Sequence, residues 1–314
     1  MTKNSRTSAA HENTVVIAGA TGTIGRALIH TLSASGYSII VLTRHTHAAG
    51  LNAISNVHCI SWDAKNSGQW ETSINGAQAV INLAGASLVS HRLTAAYKAR
   101  CISSRIDSTR AIVAAIHRAT KKPEVFINAS AAGYYGYDRI SDETHTESSP
   151  PGNDFFGTLC TAWEHEAAAC SVRTVMMRTG FVLDENGGLR LLAFAARLFG
   201  GGIILPGNQW QSWIHIDDVT GIIKHVLGDR NISGPVNAVS PSPVTEREFQ
   251  HTLCRLLRRP SWIIKPAWLM RLLMGEASRL MTHGTRVLPE RITSHGYRFL
   301  YPLLENALRD ILHS

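Results

Sequence analysis

The stretch Val15-Val-Ile-Ala-Gly-Ala-Thr-Gly-Thr-Ile-Gly25 decides the fold. Its apolar opening reads as a buried strand of a parallel sheet. It closes on three glycines, Gly19, Gly22 and Gly25, each three residues from the next. The following segment, Arg26 to Ser35, sets Ala27, Leu28, Thr31 and Leu32 on one helical face, and Gly36 stops it. The glycines therefore sit on a strand-to-helix turn. Close approach requires them there, because a dinucleotide pyrophosphate lies against bare backbone, held by free N–H groups and the helix dipole. Glycines also mark plain turns, but a strand before, a helix after and a second strand beyond meet the context that a dinucleotide site demands. The expected cradle is Gly19, Thr21, Gly22, Thr23, Ile24 and Gly25.

Outward from this turn the chain alternates strand and helix. A second strand, Ser38 to Thr43, ends at Arg44, nineteen positions past Gly25. An acidic residue there would bind a ribose 2′-OH, whereas an arginine pairs with a 2′-phosphate, so Arg44 favours NADP(H) over NAD(H). A third strand, Val57 to Trp62, leads to Asp63, either an acceptor for an adenine amino group or a turn former. A fourth strand, Ala79 to Gly85, ends in the small residues Leu83, Ala84 and Gly85, as a strand end passing under a nucleotide should. A long helix, about 94–119, carries Arg100, Arg105 and Arg110 at a spacing that splits them between faces. The fifth strand, Val125 to Ser130, brings Ser130 to the sheet edge where open α/β sheets keep their chemistry.

An acidic loop follows from Asp138 to Asp154, then a helix carrying Cys160, then a sixth strand, Val172 to Arg178. A Gly-rich apolar segment runs from Gly187 to Gly207, and Asp217 or Asp218 reads as the N-cap of a helix. Beyond Pro243 the pattern turns helical. The expected fold is α/β, a Rossmann-like doubly wound parallel sheet with a small, mainly helical C-terminal substrate region. Residues 1–13 read as a loose tail, 14–240 as the nucleotide-binding domain with substrate-side segments from about 180, and 241–314 as the helical addition.

Composition narrows the class. With 314 residues, 44% hydrophobic and 17% charged, the chain suits one large soluble domain. Apolar runs are too short to span a membrane, and none is flanked like a signal peptide. Its 5 cysteines are scattered without C-x-x-C spacing, which argues against disulfides or zinc and points to a cytoplasmic setting. The 15 histidines show no metal-ligand spacing. The net charge of +8 is concentrated in residues 247–314, with 11 basic and 5 acidic residues. No nucleic-acid motif accompanies it, so it reads as a solvated surface.

These residues resemble a known family. The glycine turn, Asn82-Leu-Ala-Gly85, Ala129-Ser-Ala-Ala-Gly-Tyr-Tyr-Gly136, Leu159-Cys-Thr-Ala-Trp-Glu164, Arg178-Thr-Gly-Phe-Val-Leu183 and Trp213-Ile-His-Ile-Asp-Asp218 are similar to the extended short-chain dehydrogenase/reductases, and more narrowly to their atypical, YfcH-like epimerase branch. The stretches Leu273-Met-Gly-Glu276 and Gly296-Tyr-Arg-Phe299 resemble the small uncharacterised domain that closes that branch. The resemblance implies an NADP(H)-binding oxidoreductase or epimerase acting on a small polar substrate, and a homodimer formed through the two long helices. It also marks a departure. Working members carry Tyr four residues before Lys, the tyrosine moving the proton and the lysine lowering its pKa. Phe156 and Cys160 hold those positions here. Ser130 remains to orient substrate, Tyr135, Cys160 or water is left to move the proton, and Arg105, where a helper Asn is common, can meet a negative group on a ligand or pair with a nearby Glu or Asp. A catalytically silent NADP(H) sensor or scaffold is the alternative that this loss implies.

Overall fold

The computed structural model describes residues 13–313 except 45–47, 138–139, 186, 200 and 262; the expected N-terminal tail lies almost wholly outside them. In chain order the elements are β1 (Thr14–Ala18), α1 (Thr23–Ala34), β2 (Ser38–Thr43), β3 (Val57–Ser61), β4 (Ala79–Asn82), α2 (Ala95–Arg118), β5 (Val125–Ala131), β6 (Ile140–His145), α3 (Phe155–Ala168) and β7 (Arg173–Thr179). There follow β8 (Phe181–Leu183), α4 (Gly188–Phe199), β9 (Gly202–Ile204), β10 (Trp210–Gln211), β11 (Trp213–His215), α5 (Ile216–Gly228) and β12 (Gly234–Ala238). The chain ends with β13 (Val244–Thr245), α6 (Glu246–Leu256), β14 (Ile263–Lys265), α7 (Ala267–Met274), α8 (Arg279–Thr282), β15 (Gly284–Val287), α9 (Glu290–Ser294) and α10 (Leu304–His313).

Seven strands form one parallel sheet in the order β12-β7-β5-β4-β1-β2-β3. All five side chains of β1 are buried, because helices cover both faces. Val15 and Ile17 point to one face, where Leu28, Ile29 and Leu32 of α1 and Val219, Ile222 and Val226 of α5 pack. Val16 and Ala18 point to the other, against Ile112, Val113 and Ile116 of α2. The chain runs from β1 outward to β2 and β3, then returns to β4 on the opposite side. The strand order thus reverses between β1 and β4, and a crevice opens at their C-terminal ends.

Caps mark the long helices. Thr94 accepts from the Tyr97 N–H, Asp154 from the Gly157 N–H, and Thr245 and Glu248 cap each other's backbone at the start of α6. The expected aspartate cap of α5 is corrected: His215 is the N-cap, its Nδ1 accepting from the Asp217 N–H at 3.2 Å. Asp218 is fully buried and faces the chain's C-terminal part instead, accepting from the Tyr297 hydroxyl and from the N–H groups of Leu300 and Tyr301 at 2.8–3.0 Å.

Two segments hold regular elements that their sequence does not announce. The acidic stretch after 138 contains β6, paired with β15, and the Gly-rich stretch holds α4. The expected division at 240–241 falls just past β12, yet the ribbons β9–β14, β10–β13 and β6–β15 join segments from either side of it. Among the described residues no helix is long and apolar enough to cross a membrane.

Candidate functional site

The glycine turn is built for an anion. Gly19 holds φ +79°, and a Cβ there would lie 2.5 Å from the Leu83 carbonyl carbon. A Cβ on Gly25 would lie 2.5 Å from the Ala20 Cα, so this glycine lets α1 pack against its own strand. Gly22 differs: a Cβ there meets nothing nearer than the Gly19 carbonyl at 3.5 Å, so this face of the turn is open. Gly22 is also the cap of α1, whose first turn has no acidic residue to cancel the helix dipole. Thr21 and Thr23 are exposed beside it and Ile24 is half-buried. The groove, of about 200 Å³, runs from this turn past Leu83 to Ser130 and Thr179. Bare amides at a helix N-terminus in an apolar crevice fit a dinucleotide pyrophosphate.

Arg44 stands exposed beyond β2, and among the described residues it makes no hydrogen bond or ion pair. Asp63 is a turn former. Its Oδ1 accepts from the N–H groups of Lys65 and Asn66 at 3.0 and 2.8 Å and its Oδ2 from the Asn66 side chain, bonds that pull its carboxyl below the usual range. Ala84 and Gly85 leave the sheet over Arg105, where a Cβ on Gly85 would come within 3.0 Å of the guanidinium carbon. Arg105 is nine-tenths buried, donates to the carbonyls of Ala86 and Cys101 at 3.0 Å and lies 4.9 Å over the Trp163 ring. The structure thus makes it a strut beneath the 84–86 loop. It lines neither the groove nor the cavity described below, which corrects the expected contact with a ligand.

Ser130 reaches the groove, but its hydroxyl is committed below it, donating to Glu164 Oε1 at 2.7 Å. Glu164 in turn takes Nε and Nη2 of Arg178, both at 2.8 Å, in a buried two-pronged pair. The guanidinium lies 3.3 Å over the Tyr134 ring and donates to the Tyr135 hydroxyl at 3.0 Å. Tyr135 donates within reach of Asn237 Oδ1 and the Thr146 carbonyl, at 2.7 and 2.9 Å. Burial pushes its hydroxyl up to about 12 despite the Arg178 charge. Tyr135 is therefore corrected from a proton carrier to the locked end of a polar network joining β5, α3, β7 and β12. Sequence reasoning missed this network because its members are 14 to 102 residues apart.

Phe156 is buried at the position resembling the family's tyrosine. Cys160 is also buried, and burial together with the Glu164 charge pushes its thiol up to about 12, against the opposing pull of Arg105. It stays a neutral thiol at neutral pH, which removes it as a base or a nucleophile. The residue that the sequence did not offer is Tyr137. Its ring stands edge-on to Phe156 with centroids 5.3 Å apart, it lines the neighbouring cavity, and among the described residues its hydroxyl has no hydrogen-bond partner. Burial raises its pKa, so it can donate a proton in a hydrogen bond but not act as a base at neutral pH. The signal for it in the sequence is the run Tyr134-Tyr-Gly-Tyr137.

That cavity, of about 260 Å³, lies beside the groove, and Thr179 belongs to the walls of both. Its walls are largely apolar: Val89, Phe181, Leu192, Ile204, Trp210, Phe249, Leu280 and Met281. Gln211, Ser212, Gln250, His283 and Glu246 supply polar atoms. Glu246 is buried, and burial lifts its carboxyl to about 7 against the bonds it accepts. Elsewhere His215, Asp217 and Asp310 bring ligand atoms within 4.8 Å of one another, but Nδ1 of that histidine caps α5 and both carboxylates are exposed.

Comparison with known proteins agrees with this geometry. Residues 15–237 match the NAD dependent epimerase/dehydratase family, and residues 265–311 match a domain of unknown function. The chain is 33% identical over 302 residues to the epimerase family protein YfhF of Bacillus subtilis, covering 95% of this chain and 97% of that one. It is 35% identical over 304 residues to a chloroplastic epimerase family protein of Arabidopsis thaliana, the SDR39U1 homolog, covering 95% and 86%. The crystal structure of human epimerase family protein SDR39U1 with NADPH superposes with a TM-score of 0.85 at 30% identity, covering 96% of this chain and 99% of that one. A nucleoside-diphosphate sugar epimerase from Corynebacterium glutamicum superposes at 0.76 and 31% identity, covering 98% and 60%. With the glycine cradle, the switch point and these matches in hand, the chain belongs to the NAD-dependent epimerase/dehydratase family of NAD(P)-binding proteins.

Proposed function

We propose that the protein is an NADP(H)-linked oxidoreductase whose substrate occupies the cavity beside the dinucleotide groove. The observation that carries it is Thr179: one residue at the end of β7 walls both spaces, so a molecule in the cavity abuts whatever fills the groove. The exposed Arg44 at the end of β2, and the NADPH held by the human relative, support the phosphorylated cofactor. When bound there, the nicotinamide supplies or takes a hydride. The chain's part is to hold and orient. Gly22 and the start of α1 meet the pyrophosphate, Arg44 meets the 2′-phosphate, and Tyr137 offers its proton to a substrate oxygen. The apolar walls keep water out. They suit a substrate more apolar than the small polar one expected from the sequence.

Quenching of the seven tryptophans by NADPH and NADH tests the cofactor. NADPH is expected to bind the more tightly, and Arg44→Asp to abolish that preference; undiminished NADPH affinity in this variant sinks the assignment. NADPH consumption with apolar ketones tests the chemistry. One observation favours a second reading, a silent NADP(H) sensor: Phe156 and Cys160 are both buried, Phe156 carries no exchangeable proton, and the Cys160 thiol holds its own tightly at neutral pH. Tight binding without turnover of any carbonyl would favour it, and steady turnover of one substrate removes it.

A further inference from the structure

Glu246 opens α6 on the cavity wall with 3% of its surface exposed. Among the described residues only neutral donors touch it: the Gln250 amide at 3.0 Å and the Ile204 N–H at 3.4 Å on Oε1, and the Gln211 amide at 3.3 Å on Oε2. Lys265 on β14 acts on it through its field, and His283 faces the same cavity; among the described residues no arginine or lysine nitrogen pairs with it. Glu164, equally deep, has Arg178. A carboxylate at such depth needs a cation or several close donors, because an isolated buried charge costs several kcal/mol; Asp218 has three neutral donors at 2.8–3.0 Å, whereas those on Glu246 stand off at 3.0–3.4 Å. The wall of this cavity supplies the anion and omits the cation.

Position adds a direction. The groove takes no wall residue from β9, β10 or α6, the elements that meet at Glu246, whereas Thr179 belongs to groove and cavity alike. A molecule lying in the cavity therefore has one part toward the hydride and another on the carboxyl. The same cavity is walled by Phe181, Leu192, Phe249 and Trp210. We propose that the cavity takes an amphiphilic amine, an apolar body with a protonated nitrogen seated on Glu246 and its reacting carbon toward Thr179. This rests on reading the cavity as the substrate chamber. The Gln211 and Gln250 amides hold the carboxylate in place, and the ammonium supplies the charge that it lacks.

The test uses the full chain, with Trp210 of the cavity wall among the tryptophans that report binding. Three probes share one apolar body: n-hexylammonium, n-hexanol and n-hexanoate. At pH 8.5 the ammonium is expected to bind at least about tenfold more tightly than the alcohol, with the carboxylate weakest. Its affinity should fall about 30-fold by pH 5.5, as Glu246 takes up a proton in the free protein. Glu246→Gln should erase both the preference and the pH dependence. Equal affinity for hexanol, preference for hexanoate, no saturable binding, or an unchanged preference in Glu246→Gln overturns the proposal. Should that variant fail to fold, the pH dependence of the wild-type chain carries the same test. NADPH is titrated separately: amine binding without NADPH binding sinks the cofactor reading alone, and the converse sinks this one alone.

Discussion

Replacing Glu246 by glutamine should relieve a cost that the folded chain carries above neutral pH. Unfolded, this carboxyl titrates near 4.5; folded, burial lifts it to about 7. A carboxyl raised on folding binds its proton more tightly in the native state. Its penalty is therefore absent below pH 4.5, grows as pH rises toward 7 and is complete above that. At 1.36 kcal/mol per pK unit the full penalty is about 3 kcal/mol. Glutamine keeps the shape and stays neutral throughout. The stability difference between Glu246→Gln and wild type should thus move by about 2.5 kcal/mol in the variant's favour between pH 5 and pH 8.5. With a urea slope of about 3 kcal/mol/M, the midpoints should separate by roughly a further 0.8 M. Urea melts of both proteins at the two pH values measure this, and titrations common to both cancel. A gap that stays the same at both pH values would falsify the assignment of a raised, proton-holding carboxyl.

Two further outcomes are expected. Glu164→Ala leaves the Arg178 guanidinium buried without its counter-ion and should cost about 3–5 kcal/mol, while adding Arg178→Met should recover much of that loss. Urea melts of the two single variants and the double variant check this, and a double variant as weak as Glu164→Ala alone contradicts it. Iodoacetamide at pH 8 should label the half-buried Cys59 and Cys170 first and reach Cys160 only after denaturation, as read by peptide mass spectrometry. Rapid native labelling of Cys160 would restore it as a reactive group.

The sheet was legible because its signals are local. β2 spans the residues that its apolar run predicts, and β1, β3, β5 and β7 fall within a residue or two of theirs. β4 is shorter, since Leu83 to Gly85 leave the sheet to pass over Arg105. The glycine turn could be read with its chemistry because spacing and neighbours both lie within one strand–turn–helix unit. The second half was harder. β10 and β13 are two residues each and exist by pairing with one another across more than thirty positions, so neither has a periodicity of its own. His215 caps α5 although aspartates stand beside it, because the Asp218 carboxylate is drawn to donors some eighty residues ahead. Tyr135 and Tyr137 are alike as letters. One meets Arg178, Asn237 and Thr146, the other an open cavity wall, and only tertiary contact separates them. Glu246 reads as an ordinary first-turn acid, and its depth comes from β9 and β10 closing over it.

The Asp218 carboxylate bears on how the chain can be cut. A fragment ending after β12 would retain the whole seven-stranded sheet and the glycine turn, and so looks like a minimal nucleotide binder. It would also strip Asp218 of the Tyr297 hydroxyl and the Leu300 and Tyr301 amides, and take Ile292 out of the core shared by α1 and α5. A carboxylate that lies fully buried in the intact chain would then lose the three protein donors that fix it, and the apolar faces around it would be uncovered. For recombinant work the last thirty residues are part of the nucleotide-binding half, and grafting or truncation at the apparent seam should yield insoluble material rather than a module.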